Sequence, residues 1–83
     1  MVEVLQRDIK RKLPNGYYAG KPLPQFDAIS FRTQVDFGMN YFIKVKTAPE
    51  MYIHVKIHRD RSHVARVRGV QVDKTLTEPI QAF

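Results

Sequence analysis

Residues 41–57, YFIKVKTAPEMYIHVKI, carry the clearest structural pattern in this chain. Apolar side chains occupy every second position from Tyr41 to Val45 and again from Ile53 to Ile57. This alternation predicts two half-buried strands, each with one apolar and one polar face. The short break at residues 47–50 predicts that the two strands are antiparallel neighbours.

The same alternation continues on both sides of this pair. It occurs upstream in residues 29–35 and downstream in residues 65–68, and short breaks at residues 36–38 and 59–63 separate the runs. The apolar phase then slips by one residue at Gly69, which predicts a β-bulge. We therefore predict a four-stranded antiparallel meander with one apolar face that needs a cover.

A helical pattern precedes the strands. Leu5, Ile9 and Leu13 recur at four-residue spacing, and Pro14 follows them. This spacing predicts an amphipathic helix that ends at the proline. We expect the helix to pack across the apolar face of the sheet, so that residues 1–83 form a single α+β domain.

The predicted topology brings three segments to one end of the sheet. In a meander, the first and third turns lie at the same end. A helix that leads into the first strand over a modest loop lies antiparallel to that strand. We therefore expect the chain start, residues 36–38 and residues 59–63 to lie together, which makes this end the candidate functional region.

Composition excludes several classes of function. The chain has no cysteine, which rules out a disulfide, a zinc site built on thiolates and a cysteine nucleophile. Fourteen Lys and Arg residues against eight Asp and Glu residues give a formal net charge of +6, which could steer the protein toward acidic partners or nucleic acid but on its own indicates solubility. No run of apolar residues is long enough to cross a membrane or to serve as a signal peptide. We expect a cytoplasmic protein that does not bind membranes.

The sequence does not predict an enzyme. Asp60, Ser62 and His63 have the residue types of a catalytic triad, but neighbours within one short turn cannot adopt its geometry. His54 and His58 share the polar face of one strand and are interpreted as solvated side chains. We therefore predict no catalytic residues, no metal site and no cofactor.

Residues 34–38, Gln-Val-Asp-Phe-Gly, resemble the Gln-Val-X-X-Gly first-hairpin motif of the cystatins. Residues 39–45, Met-Asn-Tyr-Phe-Ile-Lys-Val, resemble the stefin stretch Thr-Asn-Tyr-Phe-Ile-Lys-Val. Residues 52–57 resemble the third stefin strand, and residues 70–77 with the aromatic Phe83 resemble the stefin tail. The resemblance to stefins, the type 1 cystatins, covers the chain from about its second residue to its last.

This resemblance implies a cystatin-like fold and a reversible, competitive inhibitor of papain-like cysteine proteases such as cathepsins. The first hairpin would occlude the active-site cleft, where the glycine of the motif lets the backbone turn tightly and approach the protease. The family also implies either a monomer or a domain-swapped dimer. The implied site residues are Gln34, Val35, Asp36, Phe37 and Gly38 in the first hairpin loop, Arg59, Asp60, Arg61, Ser62 and His63 in the second hairpin loop, and Met1 and Val2 in the N-terminal segment.

The chain departs from the stefin pattern in three places. Asp36 and Phe37 replace the usual Val-Ala pair, and the N-terminal trunk of the family is missing or nearly so. The second hairpin, residues 59–63, is shorter and lacks Leu-Pro. These departures leave an alternative open: a cystatin-fold interaction module, or an engineered scaffold, whose inhibition is weakened or retargeted.

A less favoured alternative is a nucleic-acid-binding domain that uses a basic sheet face. Its binding would weaken steeply with salt. The residues of that face would be Arg32, Lys44, Lys46, Lys56, Arg66 and Arg68, with Phe42 for base stacking.

Overall fold

A computed structural model describes residues 4–14 and 26–83 of the chain. Its strands form one antiparallel sheet in the order β1-β2-β3-β4. The α+β prediction of one helix and a four-stranded meander is confirmed. The elements are α1 (Gln6–Lys12), β1 (Asp27–Val35), β2 (Met39–Ala48), β3 (Met51–Arg59) and β4 (Ala65–Lys74).

The helix ends where the proline predicts. Leu13 has extended backbone angles, φ −70° and ψ 143°, because Pro14 disfavours a helical conformation in the residue before it. Ile9 and Leu13 are both buried against the sheet. Within residues 4–14 and 26–83, no helix has the length and apolar character needed to cross a membrane.

The core lies between α1 and one face of the sheet, called here the core face. Ile43 pairs with Val55 and Val45 pairs with Ile53 across β2 and β3, so their side chains share this face. The buried members of the core are Ile9, Leu13, Phe26, Ile43, Val45, Ile53, Val55, Ile57 and Val67.

The expectation that β1 is half-buried is wrong. All nine of its residues are exposed, and Phe31, which pairs with Ile43 on the core face, keeps 65% of its surface accessible. The reason is the size and position of the helix. Seven residues extend only about 10 Å along the helix axis, and α1 packs beside β4, at the opposite edge of the sheet.

The opposite face of the sheet, called here the tail face, is covered by residues 75–83. The Lys44 ammonium donates hydrogen bonds to the backbone oxygens of Leu76, at 2.6 Å, and Glu78, at 2.5 Å. The rings of Phe42 and Phe83 pack with centroids 5.5 Å apart. The tail face, which carries the polar positions of the strands in the sequence, is therefore largely buried under residues 75–83.

The interpretation of His54 as a solvated side chain is wrong. His54 is 1% exposed, and its Nε2 atom is buried without a hydrogen-bond partner in the described part of the chain. It lies on the tail face, opposite Lys44 on β2 and Gln71 on β4. The covering tail, which has no periodic pattern of its own, removes this imidazole from water.

The predicted bulge at Gly69 is confirmed. Lys56 pairs with Gly69 and Ile57 with Val67, so the intervening Arg68 has no partner on β3. A Cβ atom at Gly69 would lie 3.3 Å from Cε2 of Phe83. The glycine thus allows the terminal ring to pack closely on β4.

We expect the free energy of unfolding to fall as the pH drops below about 6.5, the ordinary pKa of histidine. Burial, and next the charge of Lys44, lower the pKa of His54 in the folded state. A hydrogen bond from Lys74 lowers the pKa of Glu78. Both groups bind protons more readily in the unfolded chain, so their stabilising contributions are present near neutral pH and are lost in acid.

Chemical denaturation at several pH values measures this effect. His54→Gln should flatten the profile between about pH 7 and pH 5. His63→Asn is the matched control, because His63 is exposed in a turn and asparagine tolerates its left-handed backbone. Equal slopes for both variants and the wild type would show that His54 does not cause the acid sensitivity.

Candidate functional site

The two hairpin loops lie in direct backbone contact at one end of the sheet. Met39 pairs with Arg59, which sets the first hairpin loop beside the second. A Cβ atom at Gly38 would lie 2.3 Å from the Arg59 carbonyl oxygen and 3.0 Å from Cα of Asp60. Gly38 therefore allows the backbone of the first hairpin loop to approach the second hairpin loop closely. Met1 and Val2 lie outside the described residues.

The first hairpin loop presents two apolar side chains to solvent. The Asp36 N–H donates to the Gly38 oxygen over 3.1 Å, which closes a tight turn. Phe37 sits at its tip with a left-handed φ of 45°, an uncommon conformation for a bulky residue. Val35 and Phe37 are 80% and 82% exposed. Such side chains on a tight turn are typical of a contact with a partner.

Asn40 braces the first hairpin loop, and sequence reasoning missed it. Its side chain is 2% exposed. Its Nδ2 donates to Oε1 of Gln34 at 3.2 Å and to Oδ2 of Asp36 at 3.4 Å, and its Oδ1 accepts from Nδ1 of His58 at 2.7 Å. Gln34, Asn40 and His58 are direct cross-strand neighbours. The sequence could have indicated this contact, because Asn40 falls on the polar face of β2, opposite Gln34 of the motif.

The second hairpin loop is organised by the Asp60 side chain. Asp60 Oδ1 accepts from the backbone N–H groups of Ser62, at 2.8 Å, and Val64, at 3.1 Å. The backbone N–H of His63 donates to the backbone carbonyl oxygen of Asp60 at 3.0 Å. The carboxylate therefore holds its own turn, and it is not oriented towards His63 as a triad would require. Arg61, Ser62 and His63 are all exposed.

The prediction of a nucleic-acid-binding sheet face is wrong for two of its residues, Lys44 and Phe42. Lys44 is 4% exposed and bonded to the tail, and Phe42 is covered by Phe83. Neither side chain can contact a phosphate or stack on a base while residues 75–83 cover the tail face. In the described ranges, no three side chains of His, Asp or Glu converge as a metal site requires.

A short helix against a four-stranded antiparallel meander is consistent with the α+β cystatin fold. No protein-family model matches the chain. Individual proteins do match it, among them two cystatins and a cysteine proteinase inhibitor.

The chain is 39% identical over 62 residues to cystatin-A of Bos taurus, which covers 71% of this chain and 63% of that protein. It is 35% identical over 66 residues to leukocyte cysteine proteinase inhibitor 1 of Sus scrofa, with 76% and 64% covered. It is 42% identical over 43 residues to cystatin-B of Homo sapiens, with 52% and 44% covered. The chain thus spans less than two thirds of the length of each of these relatives.

These proteins are type 1 cystatins, or stefins. The resemblance that the hairpin motif and its flanking strands indicated is therefore confirmed, and this chain is similar to the stefins over most of its length.

Proposed function

We propose that this protein is a reversible, competitive inhibitor of papain-like cysteine proteases, cathepsins among them, and not itself an enzyme. The observation that carries the proposal is the first hairpin loop, which exposes Val35 and Phe37 at the tip of a tight, braced turn. One relative, from Sus scrofa, is named as an inhibitor of cysteine proteinases.

The proposed mechanism is occlusion of the active-site cleft. Phe37 and Val35 would enter the cleft, and the second hairpin loop, in backbone contact at Gly38, would lie against its edge. A loop already held by Asn40 loses little conformational entropy on docking, which favours affinity. The inhibitor presents no peptide bond for cleavage in this arrangement. The missing cysteine is compatible with a reducing, cytosolic location.

Steady-state kinetics with a fluorogenic peptide substrate tests this mechanism. Competitive occlusion predicts that the apparent inhibition constant rises linearly with substrate concentration for papain and cathepsin L. Mass spectrometry after prolonged incubation should recover an intact chain. An inhibition constant that is independent of substrate, or a chain cut within residues 34–38, would contradict occlusion.

Phe37→Gly is expected to weaken inhibition and stabilise the free protein at the same time. Loss of an aromatic contact at the centre of an interface weakens binding by about 30-fold or more. Glycine also relieves the left-handed strain at this position, which should raise the free energy of unfolding by about 1 kcal/mol. Inhibition constants and urea denaturation measure the two effects. Unchanged inhibition by the variant would place the contact surface elsewhere.

A second candidate function is a cystatin-fold interaction module that does not inhibit proteases. The observation in its favour is Asp36, whose carboxylate would have to enter the cleft beside Phe37, and burial of an unpaired charge is unfavourable. It predicts a folded wild type without inhibition, and inhibition gained by the double variant Asp36→Val/Phe37→Ala. A wild type that already inhibits would remove this candidate.

A further inference from the structure

Two neighbouring depressions on the tail face lie beside the hairpin loops. One is lined by Asp36, Phe37, Asn40, Lys56, His58 and Arg68. The other is lined by His58, Asp60, Val64, Arg66 and Arg68. They share His58 and Arg68 and are together called the groove here, and the exposed tip residue Phe37 lies on its lining.

The groove carries uncompensated positive charge. Arg66 and Arg68 are exposed, and Lys56 is half-buried beside them. The ion pairs within residues 4–14 and 26–83 are Asp8 with Arg11 and Lys74 with Glu78, all outside the groove.

The two carboxylates that line the groove are engaged elsewhere. Oδ2 of Asp36 accepts from Asn40, and Oδ1 of Asp60 accepts from the backbone of its own turn. Neither lies within ion-pair distance of Lys56, Arg66 or Arg68 in the described structure. Arg66 and Arg68 are exposed and available to a partner, whereas the Lys56 ammonium lies over the Phe42 ring, 5.8 Å from its centroid.

We infer that this groove is a recognition site for acidic side chains on the rim of the target protease's cleft. The inference rests on the proposed function, because it places the groove against the rim when Phe37 enters the cleft. Complementary charges beside a docking site accelerate association and make it sensitive to ionic strength. The groove therefore selects, among papain-like proteases, those with an acidic rim.

An acidic protein surface fits this groove better than a nucleic acid does. The aromatic ring that could stack on a base, Phe42, lies beneath Phe83. Asp36 and Asp60 also line the groove, and their negative charges would repel a continuous phosphate backbone more than separate carboxylates placed opposite Arg66 and Arg68. Discrete carboxylates can instead pair with Arg66 and Arg68 in bidentate geometry.

The test compares two double variants of equal charge change. Arg66→Glu/Arg68→Glu reverses the groove, and Arg7→Glu/Lys46→Glu reverses two cations outside its lining. Circular dichroism verifies that both are folded. Progress curves then give association and dissociation rate constants at low and physiological ionic strength. The partners are one papain-like protease of net negative charge and one of net positive charge.

For the acidic protease at low salt, we expect the groove variant to associate at least about 10-fold more slowly than the wild type. The other variant should change the rate less than about 3-fold, and the basic protease should show little difference between the two. Equal association rates for the two variants would overturn the inference and leave the proposed function standing. A wild type that inhibits neither protease would contradict both this inference and the proposed function. Salt-sensitive binding of a single-stranded oligonucleotide, lost only in the groove variant, would also overturn it.

Discussion

Replacing Gly38 by alanine is expected to lower the free energy of unfolding by about 2–4 kcal/mol. Gly38 has a φ of +127°, which side chains rarely adopt, and an added Cβ atom would lie 2.3 Å from the Arg59 carbonyl oxygen. That oxygen belongs to the backbone, so relief requires the two hairpin loops to separate. Because Val35 and Phe37 depend on this arrangement, inhibition should weaken by at least about 30-fold.

Gly69→Ala is the matched control for this prediction. Gly69 has no left-handed φ, and the atom nearest to its added Cβ is a ring carbon of Phe83 at 3.3 Å. A ring edge in the tail can shift by a few tenths of an ångström, so we expect a change of less than about 1 kcal/mol. Urea denaturation and protease inhibition measure both variants. Similar losses in both would show that contact between the loops has no special role.

The double variant Ile80→Ala/Phe83→Ala is expected to lower the free energy of unfolding by about 3–5 kcal/mol. Ile80 is buried, and Phe83 packs on Phe42 and against Gly69. Without these anchors the tail should detach from the sheet and expose Phe42. This loss is a large part of the roughly 5–15 kcal/mol that stabilises a typical domain.

Gln81→Ala is the control for the tail, because Gln81 is exposed between the two anchors. It should change stability by less than about 0.5 kcal/mol. Hydrogen exchange gives a second readout, since detachment should accelerate exchange of the β2 and β3 amides in the double variant alone. A double variant as stable as the wild type would contradict the assigned role of residues 75–83.

Much of the fold can be predicted from local pattern. Strict alternation in β2 and β3 indicates the two central strands, and the phase slip at Gly69 correctly locates the bulge. Pro14 predicts the end of the helix because it acts on its immediate neighbour. Each of these features depends on interactions within a few residues, so the sequence carries a direct signal for it.

The features that sequence reasoning missed depend on contacts between distant segments. Alternation tells which side chains of β1 share the core face, but not whether a seven-residue helix reaches Phe31. It marks His54 as polar-facing, but nothing periodic in residues 75–83 indicates that they cover it.

The position of the candidate site could be predicted from the sequence, but the side-chain contacts within it could not. The meeting of the two hairpin loops follows from topology alone, and the structure places Gly38 against Arg59. The support from Asn40 and the engagement of the Asp60 carboxylate depend on side-chain geometry. A pattern of residue types does not encode that geometry directly.

Active-site titration shows whether the first hairpin loop closes a protease cleft. Papain or cathepsin L at a known active concentration is mixed with increasing amounts of the protein, and residual activity is read with a fluorogenic peptide. We expect a saturable loss of activity at one inhibitor per enzyme, reversed on dilution, and an inhibition constant for Gly38→Ala that is higher by at least about 30-fold. Full activity at high micromolar concentrations of folded wild type would contradict the proposed function.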